Sequence, residues 1–201
     1  FFFLTDKKKE INYSKKTIGI NEVNSGCSII HGAKTKFEIY IWRKEEIFKV
    51  FIHEMFHSLN FDFKHYPDNL KHDLKKQLNI ANDIEIKLYE SYVETWANII
   101  NVIMKSFFNN TDLLKNIKNE IEFSIKQSVK ILDFYNYECF DKCLLPFLSN
   151  NSSEKKNNFL QESSVLSYYI LKLSLLFNYE EFIKYCTFNN KDLFIFKEEN
   201  L

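Results

Sequence analysis

Residues Phe51 to Asn60 read FIHEMFHSLN, and the spacing inside that stretch decides how the rest of the chain is read. After Arg43, Ile47, Val50 or Phe51, Glu54 or Met55, and Ser58 or Leu59 recur at three- and four-residue steps, the period of a helix. The spacing predicts a helix from about Lys44 to Leu59, closed by Asn60, a residue that tolerates the left-handed cap conformation. Residues four apart on a helix project from one face, so His53 and His57 can reach a single ion, and imidazoles are ordinary zinc ligands. Glu54 projects about 100° round from His53, close enough to meet a metal-bound water without ligating the ion itself. Zinc acidifies such a water and polarises a carbonyl, while Glu54 would take the proton and later deliver it to a leaving amine.

Upstream of this helix the period is that of strands. The runs TIGINEV (17–23), CSIIH (27–31) and KFEIYIW (36–42) are punctuated by Asn24-Ser25-Gly26 and His31-Gly32-Ala33, which predicts a small N-terminal antiparallel sheet. In the third run Phe37, Ile39 and Ile41 share one face and Glu38, Tyr40 and Trp42 the other, as expected of an edge strand beside a cleft. The segment Arg43-Lys44-Glu45-Glu46 reads as the start of the helix, its acids suited to the N-terminal dipole.

Downstream the pattern is helical. A short helix in KHDLKKQL lies within the connection 61–79. A long one runs from a cap at Asn82 or Asp83 to about Phe108, with Val93, Trp96, Ala97, Ile100, Met104 and Phe107 as its apolar stripe. Asn109-Asn110-Thr111-Asp112 breaks it and caps a third helix reaching about Leu145. The polar segment 149–158 reads as a loop, followed by a helix over Glu162 to Phe177 and a shorter one containing YEEFIKYC. The expected architecture is α+β and mostly helical, a single domain over residues 1–201.

Composition excludes some function classes. Lys plus Arg and Asp plus Glu both number 27 in the 201 residues, so no overall field recruits nucleic acid or an anionic membrane. The run over Leu166 to Phe177 is too short and too polar to span a bilayer. Cys27, Cys139, Cys143 and Cys186 are too scattered for a disulfide scaffold, which favours a reducing compartment. The opening FFFLTDKKKE, without a methionine, suggests an incomplete N-terminus.

A catalytic zinc takes three protein ligands and keeps one position open, so a third ligand must come from outside the motif. The metzincin continuation HExxHxxGxxH would put it at Phe63; Asn60 can replace the glycine, but Phe63 cannot ligate and Asp62 is one residue out of register. At Glu94-Thr95-Trp96-Ala97-Asn98 the chain instead resembles the gluzincins, the thermolysin-like branch of the zincins, in which a glutamate on a later helix completes the site within E-x-x-(small)-D. That resemblance implies a zincin-like fold, a zinc-dependent metallopeptidase acting on peptides or proteins, Glu94 as third ligand, and Asn98 orienting a ligand histidine where the family has Asp. The rival frame Glu90-x-x-x-Glu94 puts Val93 at the small position and makes Glu90 the ligand; Asp62 is a further candidate, as ligand or as partner of a histidine. The run RKEEIFKVFIHEMFHSLNFDF with ESYVETWANIIN also resembles uncharacterised metallopeptidases encoded by large DNA viruses.

Zincins stabilise the oxyanion of the tetrahedral intermediate with a residue from outside the motif; Tyr168, Tyr169, Tyr92, His31 and His65 are the candidates, while His72 is expected to face solvent. A peptide would lie along FEIYIW by strand addition. Two alternatives stand beside this reading: a catalytically inactive zincin-fold binding protein, and a helical interaction protein in which HExxH is accidental.

Overall fold

The computed structural model describes residues 1–31, 36–63, 65–78, 80–81, 83–136 and 159–195. The fold is α+β and mostly helical, with one three-stranded sheet. Its strands are β1 (Phe2–Thr5), β2 (Gly26–His31) and β3 (Lys36–Arg43), in the order β1-β3-β2. β2 pairs antiparallel with β3, Cys27 opposite Tyr40 and Ile29 opposite Glu38, whereas β1 pairs parallel with β3.

Two expectations fail here. TIGINEV contributes no strand: Ile18 is fully buried as a core plug, and Ile20–Val23 forms the short helix α1, whose Glu22 side chain accepts from the Gly19 amide at 3.0 Å. The sheet is therefore mixed, its third strand being the N-terminal FFLT. Nor is FEIYIW an edge: β3 is central and bonded on both sides, which leaves β1 and β2 as the edges of the sheet, with α2 packed across β2 and β3. The expected turn at Gly32-Ala33 lies outside the described residues, as do Cys139, Cys143, the end of the third helix near Leu145 and the loop 149–158.

The helices that follow are α2 (Ile47–Ser58), α3 (Asp68–Gln77), α4 (Leu88–Asn109) and α5 (Leu113–Phe134). A π-helical segment (Leu166–Leu171) continues into α6 (Lys172–Phe177), and α7 (Tyr179–Asn189) closes the described fold. α2 begins three residues later than expected. Arg43 is buried, donating to the carbonyls of Lys8, Asn21 and Asn24, and Glu46 takes a left-handed φ of 57°. α4 also starts late: the chain turns at Asp83 and Ile84, the Ile84 amide bonding to the Ala81 carbonyl at 3.1 Å, and Ile84 and Ile86 are buried in the core ahead of the helix. Its break is as read: Asn110 adopts φ 51° and Asp112 caps α5 through the Lys115 amide at 2.6 Å.

α4 is the axle of the molecule, packed against α2, α5, the π-helical segment and α6. From Glu90 to Ile99 every residue is buried, so the core covers the whole circumference there, polar side chains included. Val93, Trp96 and Ala97 take their expected places, but Phe107 is 77% exposed, because the last turns of α4 run beyond the helices that cover its middle. Phe56, Phe63, Tyr92, Trp96 and Phe182 form one aromatic core beneath α2. Among the described residues no helix is long and apolar enough to cross a membrane.

Candidate metal centre

His53 and His57 sit on the face of α2 that meets α4, and their Nε2 atoms approach to 3.1 Å. Glu90, in the first turn of α4, brings Oε2 to 3.3 Å from His53 Nε2 and 3.2 Å from His57 Nε2. The three atoms make a nearly equilateral triangle between two rigid helices. Among the described residues, this is the one group of three such ligand atoms close enough to share a metal ion.

The outer nitrogens are held as well. His53 Nδ1 donates to Glu94 Oε2 at 2.8 Å, and His57 Nδ1 donates to Asp62 Oδ2 at 2.9 Å. Both bonds fix the tautomer that leaves Nε2 facing the triangle. Asp62 reaches back because Asn60 adopts φ 54° after the last turn of α2 and the Phe61 amide bonds to the Phe56 carbonyl at 2.9 Å. The cap expected at Asn60 thus also delivers a partner for His57.

The two glutamates exchange the positions the sequence suggested. Glu90 meets the Nε2 atoms, and Glu94, one turn on, meets the outer nitrogen of His53 and a buried lysine, Lys49, at 2.6 Å. This is the spacing of the rival frame Glu90-x-x-x-Glu94, and Val93, at its small position, is fully buried in the core. Asn98 orients no histidine: it is 1% exposed, and neither its amide nitrogen nor its oxygen has a partner among the described residues. Phe63, at the metzincin ligand position, is buried against Tyr66 and Tyr92.

The cluster is electrostatically tight. Burial works against a charge on His53, but hydrogen bonds to Glu90 and Glu94 outweigh it and raise the imidazole well above its ordinary range. Burial likewise opposes ionisation of Glu90, yet the two histidines pull its carboxyl down to about 2. Glu94 is held well below the carboxylate range against its burial, chiefly by Lys49. Two imidazoles and two carboxylates thus share charge that a divalent cation could supply instead.

Glu54 differs from its neighbours. It is 7% exposed, its carboxylate makes no hydrogen bond or ion pair with any described residue, and it lines cavities on both sides of His53. Gly26 makes room for it: a Cβ there would stand 2.7 Å from Val50 Cγ1 and 3.4 Å from Glu54 Oε1. Tyr168, on the π-helical segment, sets its ring edge-on to His53 with centroids 5.8 Å apart and lines the same two cavities. Burial raises its phenol well above the usual range, keeping it a neutral donor.

The other candidates lie elsewhere. Tyr92 accepts from Asn190 and donates to the Phe194 carbonyl in the core, His31 pairs with Glu38 at the far end of β2, and His65 and His72 are exposed. Tyr169 lines the cavity on the α5 side. No protein-family model, curated protein or solved structure matches the chain. What the site does must be argued from its own atoms.

Sequence reasoning passed over Lys49 and Lys172, both buried beside His53 in that cavity. A signal was present: each is a lone lysine inside an apolar run, IFKVF and YYILKLSLL.

Proposed function

We propose that the protein is a zinc-dependent metallopeptidase of gluzincin type, with His53, His57 and Glu90 as metal ligands and Glu54 as general base and then acid. The observation that carries this reading is the triangle of Nε2, Nε2 and Oε2, with edges of 3.1, 3.2 and 3.3 Å. Tetrahedral zinc with bonds of about 2.0–2.1 Å places its ligand atoms roughly 3.3 Å apart, so the donor set and its spacing both suit that ion. When bound, zinc would supply Lewis-acid polarisation of a carbonyl and acidify a water molecule.

The remaining steps belong to the chain. Glu94 and Asp62 hold the two imidazoles in the orientation and tautomer a ligand needs. Glu54, facing the cleft without a partner among the described residues, would accept the proton of the attacking water and return it to the leaving amine. Tyr168, neutral and pressed against His53, is the donor best placed to stabilise the oxyanion. A peptide would add to the outer edge of β2, which has no strand partner among the described residues; Gly26, Cys27, Ser28 and Ile30 line the same cleft of about 530 Å³ as His53, Glu54 and His57.

Elemental analysis of the purified protein should find one zinc per chain, and Glu54→Gln should keep the zinc while losing hydrolysis of a peptide library. A wild-type protein that takes up no zinc would overturn the reading.

A further inference from the structure

Past His53 and Glu54 the cleft continues into a second cavity of about 320 Å³, lined by residues of α2, α4, α5, the π-helical segment and the start of α6. Its charged lining is uneven. Lys49 is fully answered, by Glu94 at 2.6 Å and Glu46 at 3.3 Å. Lys172 is not: it is 6% exposed, its ammonium donates to Ser124 Oγ at 2.8 Å, and no carboxylate forms an ion pair with it among the described residues. Burial holds that ammonium down to about 8, although Glu94 and Glu120 act in the opposite sense. In the same wall Asn98 is 1% exposed, and both its polar atoms lack a partner among the described residues. A buried cation with only a hydroxyl and a buried amide with nothing both cost the fold free energy. One ligand chemistry would answer the ammonium and the amide nitrogen together, a carboxylate accepting from both.

The direction of β2 says which part of a substrate arrives there. β2 starts at Gly26, beside this cavity with Asn24 and Ser25, and runs out past Cys27, Ser28 and Ile30 along the other one. A peptide adding antiparallel to β2 runs from Ile30 toward Gly26, passes the triangle and Glu54 at the junction, and sends its C-terminal side into the lysine cavity. Resting on the peptidase reading, we propose that this cavity binds a carboxylate on the C-terminal side of the scissile bond through Lys172 and Asn98, and that the protein selects peptides carrying one close to that bond. The carboxylate has two sources, the peptide's own C-terminus or an Asp or Glu side chain.

Calorimetric titration of zinc-loaded Glu54→Gln protein, which binds without turnover, tests this with acetylated pentapeptides in three forms: free acid, C-terminal amide, and amide with glutamate placed at each position in turn. Either the free acid or one glutamate amide should bind about tenfold or more tighter than the plain amide, the scale of a charge-assisted hydrogen bond; which of them does so identifies the source. Adding Lys172→Met should erase the preference. Asn98→Asp, which sets a fixed carboxylate in the same wall, should erase it too and serves if the methionine variant does not fold. Equal binding of all three forms, or a preference that survives either substitution, overturns the inference. Zinc uptake and hydrolysis by the wild type without regard for a carboxylate would fail this inference alone. Lys172-dependent binding of the acid with no hydrolysis would fail the peptidase reading alone.

Discussion

Replacing Lys172 by methionine removes a positive charge from a site where, among the described residues, only a serine hydroxyl bonds to it, and the consequence for stability can be worked from the structure. Burial lowers the ammonium from its ordinary 10.5 to about 8. At about 1.4 kcal/mol per unit, the charged lysine costs the metal-free fold about 3 kcal/mol at neutral pH. Losing the hydrogen bond to Ser124 gives back about 1 kcal/mol, so the variant should gain about 2 kcal/mol. For a chain of this size that is a rise of roughly 4–8 °C in Tm. The sign with pH follows from which state holds the proton. Between pH 8 and 10.5 the unfolded chain binds it and the folded chain does not, so wild-type stability climbs with pH through that window and the variant's advantage shrinks. The groups facing Lys172, namely Glu94, Lys49, Glu120 and Glu46, stay in place in both proteins and largely cancel in the difference. Thermal and urea unfolding in the presence of a chelator at pH 7 and pH 10 would measure it. A variant no more stable than wild type at pH 7, or a gain that does not fall at pH 10, would refute the reasoning.

Glu90→Gln should abolish zinc binding in competition with a chromophoric chelator, whereas Glu94→Gln should weaken it about 10–100-fold, as for a partner that orients a ligand. In metal-free protein Glu94→Gln should also cost about 3 kcal/mol or more in urea unfolding, because Lys49 would keep only Glu46 as counter-ion; equal zinc affinity in the two variants would contradict the assignment of their roles. Gly26→Ala should lower Tm and reduce peptide hydrolysis with zinc content unchanged, since its methyl would press on Val50 and on the Tyr40 carbonyl and come into contact with Glu54.

Local chemistry carried much of this fold to the surface of the sequence. The HExxH helix, the Asn60 cap and the break at Asn110 to Asp112 are each set by residues within one or two turns; the cap and the break stand where they were read, and the helix differs only in starting three residues late. TIGINEV misled because its alternation was real only at Ile18 and Val23; Ile20 is 57% exposed, and the decisive signal was the four-residue capping pattern from Gly19 to Glu22. The strand that does complete the sheet pairs across more than thirty residues, and nothing within FFLT specifies a parallel partner. The choice between Glu90 and Glu94 fails for a related reason. The two lie one turn apart on the same face of α4, and only the axial position of α4 against α2, fixed by packing around Val93 and Trp96, decides which carboxylate meets Nε2. A better guide was the residue four places on. The Glu90 frame supplies an acid there to orient His53, while the Glu94 frame supplies only Asn98.

Arg43 has a consequence beyond its role in packing. Its guanidinium grips three backbone carbonyls, those of Lys8, Asn21 and Asn24, and so ties the end of β3 to the segment that leads into β2. The strand proposed to receive the peptide is thereby set in place when the chain folds, before any substrate arrives. Binding then has to order one partner rather than two, and discrimination among peptides rests on what each side chain meets, not on how readily the receiving edge can be shaped.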